Sequence, residues 1–126
     1  VISEELEKSL KKSLRKFPLK MNEVHLAPEI NPKNGLPFHE WFIEFEDKPN
    51  NLDLFSKDLD KNLQELNSYY KDLITGKVLQ PLKITKVKKG AFREYMSSIG
   101  KLGGQNKVPR LSNDRKIAEA LSKYIT

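Results

Sequence analysis

HEWFIEFE, residues 39–46, alternates bulky apolar side chains with acids: Trp41, Ile43 and Phe45 fall on one side, Glu40, Glu44 and Glu46 on the other. A period of two is that of a strand, with one face on a core and the other toward water. Upstream, NEVHLAPEI (residues 22–30) sets Val24 and Leu26 against polar neighbours, and a loop rich in Pro, Asn and Gly joins the two stretches. Together they predict a hairpin. Its apolar face needs a partner layer, and the flanking segments supply helices.

Before the hairpin, Ile2, Leu6, Leu10, Leu14 and Phe17 recur at helical spacing, with Ser3 as a candidate cap and Pro18 as the stop. After it, Leu52, Phe55, Leu59, Leu63, Leu66, Tyr70 and Leu73 predict one long helix ending at Gly76. PLKITKV (81–87) reads as a third strand, reached from the second through that helix, and Gly90 breaks it. AFREYMSSI and SNDRKIAEALSKYI read as two further helices, the latter capped by Ser112 or Asn113. KVPRL adds a candidate edge strand, the only place in a sheet where its proline is tolerated. The expected fold is α+β: a small, mostly antiparallel sheet of three to four strands flanked by helices, in the order α-β-β-α-β-α-α.

At 126 residues, with 37% hydrophobic and 32% charged residues, the chain has the length and composition of a single domain, residues 1–126. No apolar run approaches the length of a membrane span, no signal-peptide pattern opens the chain, and no membrane partner is expected. The start at Val1 rather than Met suggests a trimmed chain or a piece of a longer one. Cysteine is absent, which excludes disulfides, thiolate catalysis and Cys-based zinc sites and fits a reducing, cytoplasmic setting. Two histidines, His25 and His39, supply at most half of a metal site, and HEWFI lacks the second histidine of a zinc-protease helix; no metal site is expected.

Charge is uneven. Residues 77–110 hold nine basic residues and one acid, Glu94, more than the net +6 of the whole chain. Lys83, Lys86, Lys88 and Lys89 are spaced to track a polyanion, but stacking aromatics are not interleaved with them. A lysine-rich edge that discourages sheet-to-sheet aggregation accounts for them more simply. The acids of HEWFIEFE read as a solvated outer face rather than as paired catalytic carboxylates.

GKLGGQNKVPRL (100–111) is neither helix-like nor strand-like. It is not a Walker loop, because Leu102 follows Gly100-Lys101, and no strand leads into it as a dinucleotide fingerprint requires. What it offers is donors: close backbone approach at Gly103 and Gly104, an amide on Gln105, and positive charge on Lys101, Lys107 and Arg110. That set suits phosphate or carboxylate oxygens. A surface connector with solvated lysines is the alternative.

LQPLKITKVKKGAF followed by GGQNKVPRL is similar to the C-terminal domain of the auxin-responsive-promoter family of acyl-acid amido synthetases, which are acyl-adenylate-forming enzymes. Pro81-Leu82 opens the strand, Gly90-Ala91-Phe92 starts the helix, and Gln105-Asn106-Lys107-Val108-Pro109-Arg110 closes the loop; HEWFIEF resembles the family's Trp-bearing strand. The form GKLGGQNKVPRLSNDR looks more like the bacterial branch. The resemblance implies a mobile lid for a larger N-terminal adenylation domain of the same chain. That domain would bind ATP and Mg, activate a carboxylic acid and pass the acyl group to an amine such as an amino acid. The lid alone would be inactive and hold no cofactor. Lys107 becomes the candidate catalytic residue, or else the holder of the loop. Lys101, Gly103, Gly104, Gln105 and Arg110 become candidates for nucleotide or phosphate binding. A basic nucleic-acid-binding module and a protein-interaction domain are the alternatives, nucleic acid being the less expected partner.

Overall fold

The structure, a computed structural model, describes residues 1–33, 35–100 and 107–126. Along the chain run α1 (Ser3–Lys16), β1 (Met21–Glu29), β2 (Phe38–Phe45), α2 (Leu52–Leu66), α3 (Ser68–Thr75), β3 (Lys83–Val87), α4 (Ala91–Ser98) and α5 (Lys116–Leu121), with a closing 3₁₀ turn at Ser122–Tyr124. The α+β class and the order match the expectation. The sheet is mixed, in the order β1-β2-β3. β1 and β2 pair antiparallel with Val24 opposite Ile43 and Leu26 opposite Trp41; β2 and β3 pair parallel with Trp41 opposite Ile84. A parallel neighbour is what a strand-helix-strand connection produces. The candidate fourth strand shrinks to a single parallel bridge between Leu26 and Leu111.

One face of the sheet carries Val24, Leu26, Trp41, Ile43 and Phe45 against Leu6 and Leu10 of α1 and Phe55, Leu59 and Leu63 of α2. Each such side chain, fully buried, contributes about 1.5–3 kcal/mol before the cost of ordering the chain. Ser9 and Ser13 are also buried on α1, and Ser13 Oγ donates to Asp58 Oδ2 at 2.8 Å while accepting from Asn62 Nδ2 at 2.9 Å. Small hydroxyls at this crossing let the two helices approach and still satisfy their polar atoms.

The opposite face is not solvated, contrary to the alternating pattern of residues 39–46. Ala27, Phe42 and Val87 pack under Ala91, Phe92 and Met96 of α4 and Ala118 and Leu121 of α5. Glu44 is therefore buried, and it has work there: Oε1 accepts the Phe92 backbone N–H at 3.2 Å and Oε2 accepts Asn22 Nδ2 at 3.0 Å. A carboxylate at the first turn of α4 satisfies an N–H that the helix leaves open and faces the positive end of its dipole. Gly90 precedes that turn at φ +90°, in the left-handed region that a Cβ disfavours.

The long helix expected from residue 52 to 76 is two helices. Asn67 adopts φ −137°, ψ 102° between them, and its Oδ1 accepts the Tyr70 N–H at 2.8 Å. Its amide also donates to Glu5 Oε1 at 3.0 Å. Asn competes with the helix for backbone hydrogen bonds, which apolar spacing alone does not register. The break turns Tyr70 inward, where its hydroxyl donates to the buried Asp60, which also accepts the Leu82 N–H at 3.1 Å and Gln64 Nε2 at 2.6 Å. Burial and the adjoining carboxylate raise the Tyr70 pKa well above its ordinary value. Two expected caps also move: Glu5, not Ser3, satisfies the first turn of α1 by accepting the Ile2 N–H at 2.9 Å, and Asp114 accepts the Lys116 N–H at 3.0 Å ahead of α5.

Candidate functional site

Residues 107–112 lead from the side of the sheet covered by α4 and α5 to the outer edge of β1. Val108 is buried against that second face, whereas Lys107 and Arg110 are exposed on either side of the Val108-Pro109 pair. Three hydrogen bonds hold the segment. Leu26 donates its N–H to the Arg110 carbonyl at 2.8 Å, and Ser112 donates its N–H to the Leu26 carbonyl at 3.0 Å. His25 Nδ1 donates to the Pro109 carbonyl at 2.6 Å. His25 is fully buried. Desolvation pulls its pKa below the ordinary histidine value; the Pro109 carbonyl opposes this, Arg115 adds to it and Asp114 opposes it. The ring is thus neutral near pH 7 and its Nδ1 carries the proton, since a carbonyl only accepts.

The sequence candidates separate in space. Lys107 is exposed and makes no ion pair among the described residues. Arg110 turns the other way, toward α1 and β1: its Nε lies 3.2 Å from Glu7 Oε1 and 3.8 Å from Glu23 Oε1. Lys101, Gly103, Gly104 and Gln105 lie outside the described residues.

The rest of the basic segment is largely occupied at home. Lys89 pairs with Glu46 at 2.8 Å, an exposed contact that raises the lysine pKa and lowers that of the glutamate. Lys88 pairs with Glu94 at 3.3 Å and lies over the Tyr124 ring, and Lys83 lies over Phe38. A polyanion track along Lys83, Lys86, Lys88 and Lys89 would have to break those contacts. Glu40 is likewise engaged, with Arg115 at 2.9 Å and with the Thr85 hydroxyl, while Arg115 also reaches Glu29 at 3.3 Å. Neither Glu40 nor Glu44 is a free acid–base pair member. His39 stacks on Tyr70 with ring centroids 5.2 Å apart, and desolvation lowers its pKa to about 4. Among the described residues no cluster of three potential metal ligands occurs.

Sequence reasoning missed His25 as the tether of Pro109, Glu44 as the cap of α4 and Arg115 as the clasp on Glu29 and Glu40. One signal for all three was present. Trp41-Phe42-Ile43 is a continuous apolar run, the mark of a strand buried on both faces.

A profile of the GH3 family C-terminal domain matches residues 4–116, nearly the whole chain. This chain belongs to that family. The GH3 assignment covers all three strands, α2 to α4 and the 107–112 segment. Among solved structures, a GH3.15 acyl acid amido synthetase superposes with a TM-score of 0.77 at 20% identity over 97% of this chain. A second, AtGH3.15 acyl acid amido synthetase in complex with 2,4-DB, gives 0.76 at 19% identity over the same share. These likenesses establish the shared fold. The chain spans 23% of the length of each of those proteins. No curated protein matches it. Among the described residues no helix is long and apolar enough to cross a membrane.

Proposed function

We propose that this GH3 C-terminal domain is the mobile lid of an ATP-dependent acyl acid amido synthetase, bacterial in type and cytoplasmic, working with an N-terminal adenylation domain of the same chain. The observation that supports this best is the family match over residues 4–116, together with the placement of Lys107. In the proposed reaction a carboxylate oxygen of the substrate attacks the α-phosphorus of ATP and pyrophosphate leaves. An amine then attacks the acyl carbon and AMP leaves. Mg with ATP would be held mainly by the other domain, and the isolated lid would not turn ATP over.

The lid's part is to deliver positive charge where charge develops, from a rigid support. Lys107 is suited to it, being exposed beside a segment fastened through Val108, Pro109 and Arg110. Arg110, engaged by Glu7 and Glu23, would have to leave both to reach a phosphate, so it is the weaker candidate. Lys101, Gly103, Gly104 and Gln105 complete the proposed phosphate-facing set. The test is pyrophosphate exchange in the full-length enzyme. Lys107→Ala should lower the rate by about 10²–10³, the cost of one lost charge-stabilising donor. Its thermal unfolding should match wild type, and Lys123→Ala, a surface control, should do neither harm. Wild-type exchange in Lys107→Ala would remove the lysine from the mechanism.

A further inference from the structure

We propose that the groove between α1 and the outer edge of β1 binds an extended acidic peptide segment supplied by another polypeptide, which adds to the sheet as a strand. The groove encloses about 780 Å³. Leu10, Leu14, Met21 and Val24 form its floor, Glu7, Lys8, Lys11 and Arg15 form the α1 wall, and Glu23 and Arg110 stand at the β1 rim. Lys8 is paired with Glu4 at 2.9 Å, but Lys11 and Arg15 make no ion pair among the described residues. With Glu7 taken up by Arg110, the wall sets those two cations over an apolar floor, which fits an occupant that is itself apolar and negatively charged.

The β1 edge indicates that the occupant is a peptide. Leu26 already uses its outward N–H and C=O to pair with residues 110 and 112 in the manner of an added strand. Two residues earlier, Val24 presents its backbone to the same side. Its N–H is met there by the carboxylate of its own neighbour, Glu23 Oε1, at 3.1 Å. That carboxylate also lies 3.8 Å from Arg110 Nε. Glu23 is thus an internal stand-in for the acceptor an incoming strand would bring, and displacing it releases the Val24 N–H while Arg110 stays on Glu7.

The spacings agree. Lys11 and Arg15, four residues apart on a helix, are separated by about 6 Å along its axis. Side chains on one face of a strand recur every ~6.7 Å. The two repeats are close enough for acids at alternate positions of an added strand to meet both cations where that strand runs beside α1. A second copy of this chain is a poorer occupant, because it would set one cationic wall against another.

The test is fluorescence anisotropy of this chain with a capped, fluorescein-labelled hexapeptide that carries glutamate at positions 1 and 3 and leucine at position 5, all on one strand face, with threonine between them. Saturable binding is expected, weakening as salt rises. Lys11→Glu with Arg15→Glu should weaken it by about tenfold or more, whereas the charge-matched pair Lys57→Glu with Lys61→Glu on α2 should weaken it by less than about threefold. Glu23→Ala should tighten it more than Glu65→Ala does. N-methylation of alternate peptide amides should abolish it, as loss of strand pairing requires. Melting curves establish that each variant is folded, and Lys11→Gln with Arg15→Gln serves where charge reversal unfolds the chain. Absence of saturable binding, equal loss in the two charge-reversed pairs, or undiminished binding of the N-methylated peptide overturns the proposal. So does stronger competition by a single-stranded oligonucleotide of equal charge than by unlabelled peptide, which would make the groove a nucleic-acid site.

Discussion

Replacing His25 with leucine tests whether one buried imidazole holds the segment that carries Lys107. Leucine keeps an apolar body of similar size but donates nothing, so the Pro109 carbonyl, 2.6 Å from Nδ1, loses its protein partner. A typical intramolecular hydrogen bond is worth about 0.5–1.5 kcal/mol. With a urea dependence of ~1–3 kcal/mol/M, the midpoint should fall by about 0.5 M. The effect has a pH signature. His25 has a lowered pKa in the folded state, against 6.5 for the ordinary group. Above that value both folded and unfolded chains are neutral here and the residue adds no pH dependence. As pH falls below it the unfolded chain takes a proton that the native one refuses, and stability is lost until the folded pKa is reached. His25→Leu lacks this loss, so the gap between wild type and variant should narrow from pH 7 toward pH 5. The Ser112 amide, bonded to Leu26 O, should exchange faster in the variant than amides of β2 do. His25→Asn, which restores an N–H near the Nδ1 position, should recover part of both losses. A His25→Leu protein within ~0.5 kcal/mol of wild type at pH 7, with Ser112 exchange unchanged, refutes the reasoning.

Tyr70→Phe removes the hydroxyl that donates to Asp60 and should cost about 1.5–3 kcal/mol in urea unfolding, the range for a hydrogen bond to a charged group. In alkaline titration of the wild type, Tyr70 should resist ionisation until the protein unfolds, because burial and Asp60 raise its pKa. His39, with its pKa lowered to about 4 from 6.5, should draw stability down as pH falls through that window, by no more than ~3 kcal/mol. His39→Gln should flatten that part of the pH–stability curve, as melts at pH 7 and pH 4.5 would register.

Most of the element order was legible in the chain because helix and strand periods are local. Leu6, Leu10 and Leu14 on α1, or Val24 against Ile43, follow from spacing and burial alone. The GH3 resemblance was legible for the same kind of reason: short motifs at Pro81-Leu82, Gly90-Ala91-Phe92 and Gln105 to Arg110 stand in a fixed order. What spacing could not supply was which surfaces meet. Alternation marks two faces of residues 39–46 but does not say that α4 and α5 cover the second, which turns Glu44 from a solvated acid into a buried cap. Apolar spacing runs unbroken through Asn67, where the side chain caps a new helix through the Tyr70 N–H and Glu5, sixty-two residues away, holds its amide. Composition counts Lys107 and Arg110 as equal cations; the tertiary structure leaves Lys107 without an ion pair among the described residues and sets Arg110 against Glu7 and Glu23. Each of these outcomes rests on an electrostatic or hydrogen-bond partner brought in from a distant part of the chain, and such partners exist only once the layers have packed.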